Sequence, residues 1–204
     1  GQSRVFFSMS KDGLLPRVFS AVHPKFQTPV KNNTMFLVFV SLFAAFVPAR
    51  VVGEMTSIGT LFAFILVCIG IIVMRKQMPD APRAFKTPLV PLVPILGVAT
   101  CFFMMAFLPL DTWIRLFVWM IIGFDVYLWY GIKNSFLSNK LPASIVAGGK
   151  TVGLVGIVLA VLLGIIAYAH HVQTDGSDTG LYYFSLIFAV IHIIAFGMTQ
   201  TKKA

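Results

Sequence analysis

The sequence predicts an all-α integral membrane protein with six transmembrane helices, and three observations support this fold class. Hydrophobic residues make up 58% of the 204 residues and charged residues only 11%, less than half the usual share in a soluble domain. The apolar residues fall into six runs, each near the ~20 residues that an α-helix needs to cross a bilayer. The loops between the runs hold most of the Lys and Arg residues. A soluble protein this apolar would have too few polar residues to cover its surface, which excludes an ordinary soluble fold.

These runs divide the chain into segments that alternate between loop and membrane. The predicted order is a cytoplasmic loop with a short amphipathic helix over 1–32, two transmembrane helices over 33–74, a basic cytoplasmic loop over 75–88, a second transmembrane pair over 89–131, a cytoplasmic linker over 132–150, a third pair over 151–198 and a cytoplasmic tail over 199–204. The amphipathic helix is expected over 14–22, where apolar residues recur at helical spacing.

Turn residues, charges and prolines set the boundaries of these elements. Asp12-Gly13 predicts a turn before the amphipathic helix. The second apolar run ends at Arg75-Lys76, whose charges resist burial in a bilayer. Pro91 falls in the first turn of the third run, where a missing backbone N–H costs least.

The distribution of Lys and Arg predicts the orientation. From the N-terminal segment to the tail, successive loops hold five, one, four, one, three, zero and two of these residues, so fourteen lie on one side and two on the other. The positive-inside rule places the richer side in the cytoplasm. On the outer side, Arg50 lies four residues before Glu54 and Asp111 lies four before Arg115, a spacing that predicts two ion pairs.

Two ionisable residues lie inside apolar runs. Asp125 is near the middle of the fourth run and His192 is inside the sixth. Each could serve as an intramembrane proton site, since such residues are costly in a membrane and often functional. Each could also be structural, bonded to a neighbouring helix, and we favour that interpretation.

The second run carries a polar face. Ser57, Thr60 and Phe64 fall at i, i+3 and i+7, so they share one side of the helix. Two hydroxyls and an aromatic ring suit a polar substrate pathway, and they also suit ordinary helix packing.

Small residues form a ridge on the fifth run, at Gly156, Ala160 and Gly164. Such a ridge allows close helix–helix approach, either within the chain or across a homo-oligomer. The sequence shows no metal-ligand spacing, cofactor motif or catalytic constellation, so we expect no metal site, no cofactor, no nucleic-acid partner and no enzymatic activity.

Four stretches, occurring in order, resemble one family. GQSRVFFSMSKDGLLPRVFSAVHPKFQTPV is similar to the cytoplasmic segment after the eighth helix in amino-acid permeases of the amino acid–polyamine–organocation superfamily. EMTSIGTLFAFILVCIGIIVMR and MPDAPRAFKTPLVPLVPILG resemble the tenth and eleventh helices of its cationic amino acid transporter family, and WIRLFVWMIIGFDVYLWYGIKNS resembles the twelfth. The resemblance covers about residues 1–136, and 137–204 fit the extra helix pair that some members carry. At Asp125 the family usually has an apolar residue.

The resemblance implies the C-terminal portion of an inverted-repeat, five-plus-five transporter fold with extra peripheral helices. The chain would hold the last two helices of the second repeat over 33–74 and peripheral helices thereafter. The discontinuous first and sixth helices, which bind substrate in this fold, would lie in the N-terminal part of a parent permease. The second run would be the tenth helix, beside the pathway, which supports a substrate role for Ser57, Thr60 and Phe64.

The implied function is secondary active transport of amino acids across the inner or plasma membrane by alternating access, coupled to protons or to exchange. The expected partners are an amino-acid substrate, the lipid bilayer and the missing N-terminal helices. The alternative is a non-transporting six-helix membrane scaffold or assembly subunit. A substrate-induced thermal shift would distinguish the two.

Overall fold

The computed structural model describes residues 2–25, 27–80, 82, 85, 87–135 and 142–201, and of 142–147 and 201 it describes the backbone only. Throughout these residues the regular structure is helical. The helices are α1 (Gln2–Lys11), α2 (Val30–Phe46), α3 (Ala49–Gln77), α4 (Leu92–Ala106), α5 (Leu110–Val126), α6 (Ile132–Asn134), α7 (Pro142–Gln173) and α8 (Thr179–Thr201), with a 3₁₀ turn at Arg17–Ser20 and a π-helical turn at Tyr127–Gly131.

Each of the six apolar runs forms a helix, which confirms an all-α, multi-pass membrane protein. Within the part of the chain that the structure describes, four helical stretches are long and apolar enough to cross a bilayer, namely Ala49–Gln77, Leu110–Asn134, Gly148–Gln173 and Thr179–Gln200. At most a third of the most apolar part of each is buried within the chain, so the remainder faces lipid or further helices. Helices α2 and α4, of 17 and 15 residues, rise only about 26 and 23 Å. The count of six spans therefore stays a prediction.

The N-terminal segment differs from the amphipathic helix expected over 14–22. The structure has a four-residue 3₁₀ turn at Arg17–Ser20, and the α-helix of this region is α1 instead. Pro16 precedes the 3₁₀ turn, and Pro24 follows it closely. A proline disfavours helical backbone in the residue before it, so the two prolines leave room for one short turn.

The chain divides into two compact units, one made of Gly1–Pro48 and Phe117–Ala204 and the other of Ala49–Leu116. In the second unit, α3 packs against α4 around three buried side chains, Ile58, Ile65 and Met105. Gly97 of α4 permits this approach, because a Cβ there would lie 2.8 Å from the Cys68 sulfur.

A charged network closes one end of this unit. Both predicted ion pairs are confirmed, with 2.8 Å between Arg50 Nε and Glu54 Oε1 and 2.5 Å between Arg115 Nη2 and Asp111 Oδ2. Glu54 also reaches from α3 to α5, where its Oε2 lies 3.1 Å from the Thr112 hydroxyl and 3.4 Å from Arg115 Nη1. The Thr112 side chain is fully buried, so its hydroxyl depends on Glu54 as acceptor.

In the first unit, the predicted Asp12-Gly13 turn packs against the end of α6. Gly13 has a φ of +78°, which suits a residue without a side chain. A Cβ at this position would lie 2.0 Å from the carbonyl oxygen of Asn134, so the two backbones are in direct contact. Ser10, which is buried, donates a hydrogen bond of 2.8 Å to the Pro16 carbonyl and holds the segment that follows this turn.

Helices α7 and α8 form the largest packed pair of this unit. Gly156 of α7 lies beneath the ring of Phe196, where an added Cβ would stand 2.6 Å from two ring carbons. Ala160, one turn later, is fully buried. Two members of the predicted ridge thus serve packing within the chain. Gly164, the third, lines an open apolar groove of about 380 Å³ between the two helices, and a homo-oligomer through it stays a prediction.

We expect Gly156→Ala to lower the unfolding free energy by about 1–3 kcal/mol, because the new methyl group meets a buried ring that has little room to move. Thermal unfolding in detergent measures the loss. Gly164→Ala is the matched control on the same helix, since nothing lies within 4 Å of its added Cβ. Equal losses in the two variants would contradict this account of the ridge.

Thr112→Val should lower the unfolding free energy by about 1–2 kcal/mol, because it removes a buried donor while nearly preserving side-chain volume. The loss should shrink when the same change is made in a Glu54→Ala background, where the acceptor has already gone. Thermal unfolding of the four proteins gives the coupling between the two side chains. A loss of the same size in both backgrounds would show that the hydroxyl does not depend on Glu54.

Candidate functional site

The predicted polar face of α3 is exposed. Ser57 and Thr60 are exposed residues, and Phe64 is 54% exposed. The core of the Ala49–Leu116 unit lies on another side of the helix, around Ile58 and Ile65. The three predicted residues therefore share a face that stays open within this unit.

The hydroxyls on this face are bonded to their own helix. Ser57 donates a hydrogen bond of 2.9 Å to the Gly53 carbonyl, and Thr60 donates one of 2.7 Å to the carbonyl of Thr56. Thr56 itself donates to the Val52 carbonyl at 2.8 Å. This third hydroxyl was missed in the sequence, although it lies only ~40° around the helix from Thr60 at 100° per residue. Each oxygen keeps lone pairs with which it can accept a further hydrogen bond.

Asp125 and His192, predicted separately, meet in the structure. The Nε2 atom of His192 lies 2.9 Å from Oδ2 of Asp125, which joins α5 to α8 across 67 residues of sequence. The other ring nitrogen, Nδ1, lies 2.7 Å from the Phe188 carbonyl one turn earlier in α8. In the sequence, this contact was indicated by the presence of two isolated ionisable residues in apolar runs. Each of them costs less free energy to bury when it is paired.

Aromatic rings surround the imidazole of His192. The Phe188 ring lies 4.0 Å from it between centroids and the Phe196 ring 5.9 Å, so three rings follow one face of α8. The side chain of His192 is 13% exposed and that of Asp125 is 41% exposed. On the α5 side, a π-helical turn begins at Tyr127, two residues after the carboxylate. Such turns are frequent at functional sites, and no local sequence signal predicted this one.

The two adjacent histidines of the α7–α8 connection do not act together. His170 Nε2 lies 3.8 Å from Asp178 Oδ2, whereas the ring of His171 stacks on Tyr182 at 4.4 Å. Among the residues that the structure describes, no group of three or more His, Cys, Asp or Glu side chains could hold a metal ion.

Comparison with known proteins extends these observations. The family model described as the C-terminus of AA_permease matches residues 85–135. The branched-chain amino acid permease BcaP of Bacillus subtilis is 43% identical over 139 residues, which are 68% of this chain and 30% of that protein. The methylthioribose transporter of the same organism is 38% identical over 138 residues, again 68% of this chain and 30% of that protein. The vacuolar cationic amino acid transporter 4 of Arabidopsis thaliana is 40% identical over 79 residues, 39% of this chain and 13% of that protein.

The chain thus spans less than a third of the length of the curated relatives it matches. These relatives are permeases and transporters by name, and the prediction that the chain is not an enzyme is confirmed. The matched family model and the stretches that resemble this family agree on the same C-terminal region. The chain belongs to the amino-acid permeases of the amino acid–polyamine–organocation superfamily and corresponds to their C-terminal part.

Proposed function

We propose that the polypeptide to which this chain belongs carries an amino acid across the cell membrane by alternating access, coupled to protons or to exchange. The observation that carries the proposal is the 43% identity with a branched-chain amino acid permease over 68% of the chain. Helices beyond this sequence would supply most of the substrate site, since the chain matches less than a third of the length of these relatives. Fold and site features of the chain are consistent with this role.

The exposed face of α3 would form part of the substrate pathway. Its three hydroxyls, on Thr56, Ser57 and Thr60, already donate to backbone carbonyls, so they meet a substrate as acceptors. The ammonium group of an amino acid has three donors and no acceptor, like that of lysine, and therefore complements such a face. Phe64 would offer apolar contact to the remainder of the substrate.

The chain would lie in the cell membrane with its N-terminal segment and its tail in the cytoplasm. This orientation rests on the fourteen Lys and Arg residues on one side against two on the other. The segments over 75–88 and 132–150 would then be cytoplasmic loops. The charged network around Glu54 would lie at the outer ends of α3 and α5, where its two acids and two bases balance.

The full-length polypeptide, reconstituted in liposomes, should take up labelled leucine or lysine with saturable kinetics. Collapse of the proton gradient by an ionophore should slow uptake if transport is proton-coupled, and preloading with unlabelled substrate should accelerate it if transport is exchange. Empty liposomes serve as the control. Absence of uptake together with absence of a thermal shift for any of the twenty amino acids would favour the scaffold instead.

Phe64→Ala should lower the uptake efficiency of the full-length polypeptide about tenfold, equivalent to about 1.4 kcal/mol, because it removes apolar contact from the proposed pathway. Leu66→Ala is the matched control. Leu66 is 53% exposed, almost the same as Phe64, but it lies about 200° around the helix. Uptake is normalised to the amount of protein in the membrane. Equal losses in the two variants would remove this face of α3 from the pathway.

A further inference from the structure

The contact between Asp125 and His192 fixes the number of protons that it holds. The Phe188 carbonyl can only accept a hydrogen bond, so the Nδ1 atom of His192, 2.7 Å away, carries a proton and donates it. A second proton must then lie between Nε2 and Oδ2, which are 2.9 Å apart. Either an imidazolium donates it to the carboxylate, or a neutral carboxyl group donates it to Nε2. The pair has zero net charge in both arrangements.

Removal of that proton would leave two lone pairs facing each other and one negative charge. Both residues lie within the helices predicted to cross the membrane, where an unpaired charge is costly. Helix α8 packs mainly against α7. Among the described residues, the contact between Asp125 and His192 is the polar connection from α8 to α5.

No other ionisable side chain of the described residues is hydrogen-bonded to this pair. Lys133, eight residues after Asp125, lies about 12 Å further along the helix. Lys150 of α7 lies six residues before Gly156, on which Phe196 rests, and Phe196 is itself one turn beyond His192. The remaining ionisable groups on these elements and on the N-terminal turn are Asp12, Asp111, Arg115, Tyr127, Tyr130, Tyr168, His170, His171, Tyr182 and Tyr183.

We propose that Asp125 and His192 form a binding site for a single proton that ties α5 to α8. The site requires both residues, because neither can hold the proton in this position alone. The proposal rests on the hydrogen-bond geometry of the two side chains and does not depend on the transport activity, so failure of either idea leaves the other standing.

The test compares thermal unfolding of three variants of the full-length protein at neutral pH. A neutral imidazole without its partner can stay in an apolar helix at little cost, whereas a carboxylate left without its partner is an uncompensated charge. His192→Gln should therefore lower the melting temperature by roughly 5 °C or more, and Asp125→Asn should lower it much less. The double variant should recover most of the loss, because its two amides can form a neutral hydrogen bond.

The residues His170 and Asp178 provide the matched control. They are 3.8 Å apart in the α7–α8 connection, so His170→Gln and Asp178→Asn should have small, additive effects. At His192 and Asp125, equal losses in the single variants, or a double variant no more stable than His192→Gln, would overturn the proposal.

A second measurement does not depend on stability. Nitrogen-15 NMR of the protein with labelled histidine, with the His192 signals assigned by their loss in His192→Gln, reports which ring nitrogen carries a proton. A protonated Nδ1 together with an Nε2 signal that shifts in Asp125→Asn is expected. A neutral ring with its proton on Nε2 and a bare Nδ1 would overturn the proposal.

Discussion

The structure depends on one constraint, that polar groups within apolar helices need hydrogen-bond partners, and the chain meets it in three ways. The hydroxyls of α3 bond back to carbonyls of their own helix. Near the start of α3, Glu54 contacts Arg50, Thr112 and Arg115. Asp125 and His192 reach each other from different helices. Polar side chains can therefore occupy predominantly apolar helices while each of these groups has a partner.

Features set by nearest neighbours along the chain could be predicted from the sequence. Each apolar run is a helix because its backbone hydrogen bonds are internal to it. The ion pairs Arg50–Glu54 and Asp111–Arg115 form because their residues are one turn apart. The link from Glu54 to Thr112 could not be predicted, because it depends on how α3 and α5 are rotated towards each other. The 3₁₀ turn at Arg17–Ser20 replaced an expected helix because prolines limit that segment.

The candidate site, too, could be predicted only where its residues are close together in the sequence. Helical periodicity placed Ser57, Thr60 and Phe64 on one face, and the structure shows that face exposed. Asp125 and His192 were identified singly by their cost in a membrane, but their separation of 67 residues hid the pairing. The number of protons in the proposed site could be derived only from a third hydrogen-bonding group, the Phe188 carbonyl.

The contact between Gly13 and Asn134 constrains the topology without reference to charge. Because their backbones touch, the two residues lie on the same side of the bilayer. The chain between them must then cross an even number of times. The helical stretches Ala49–Gln77 and Leu110–Asn134 are each long enough to cross, and they would account for two passages. The short helices α2 and α4 must therefore contribute an even number of crossings together. Either both traverse the membrane, or both turn back within it.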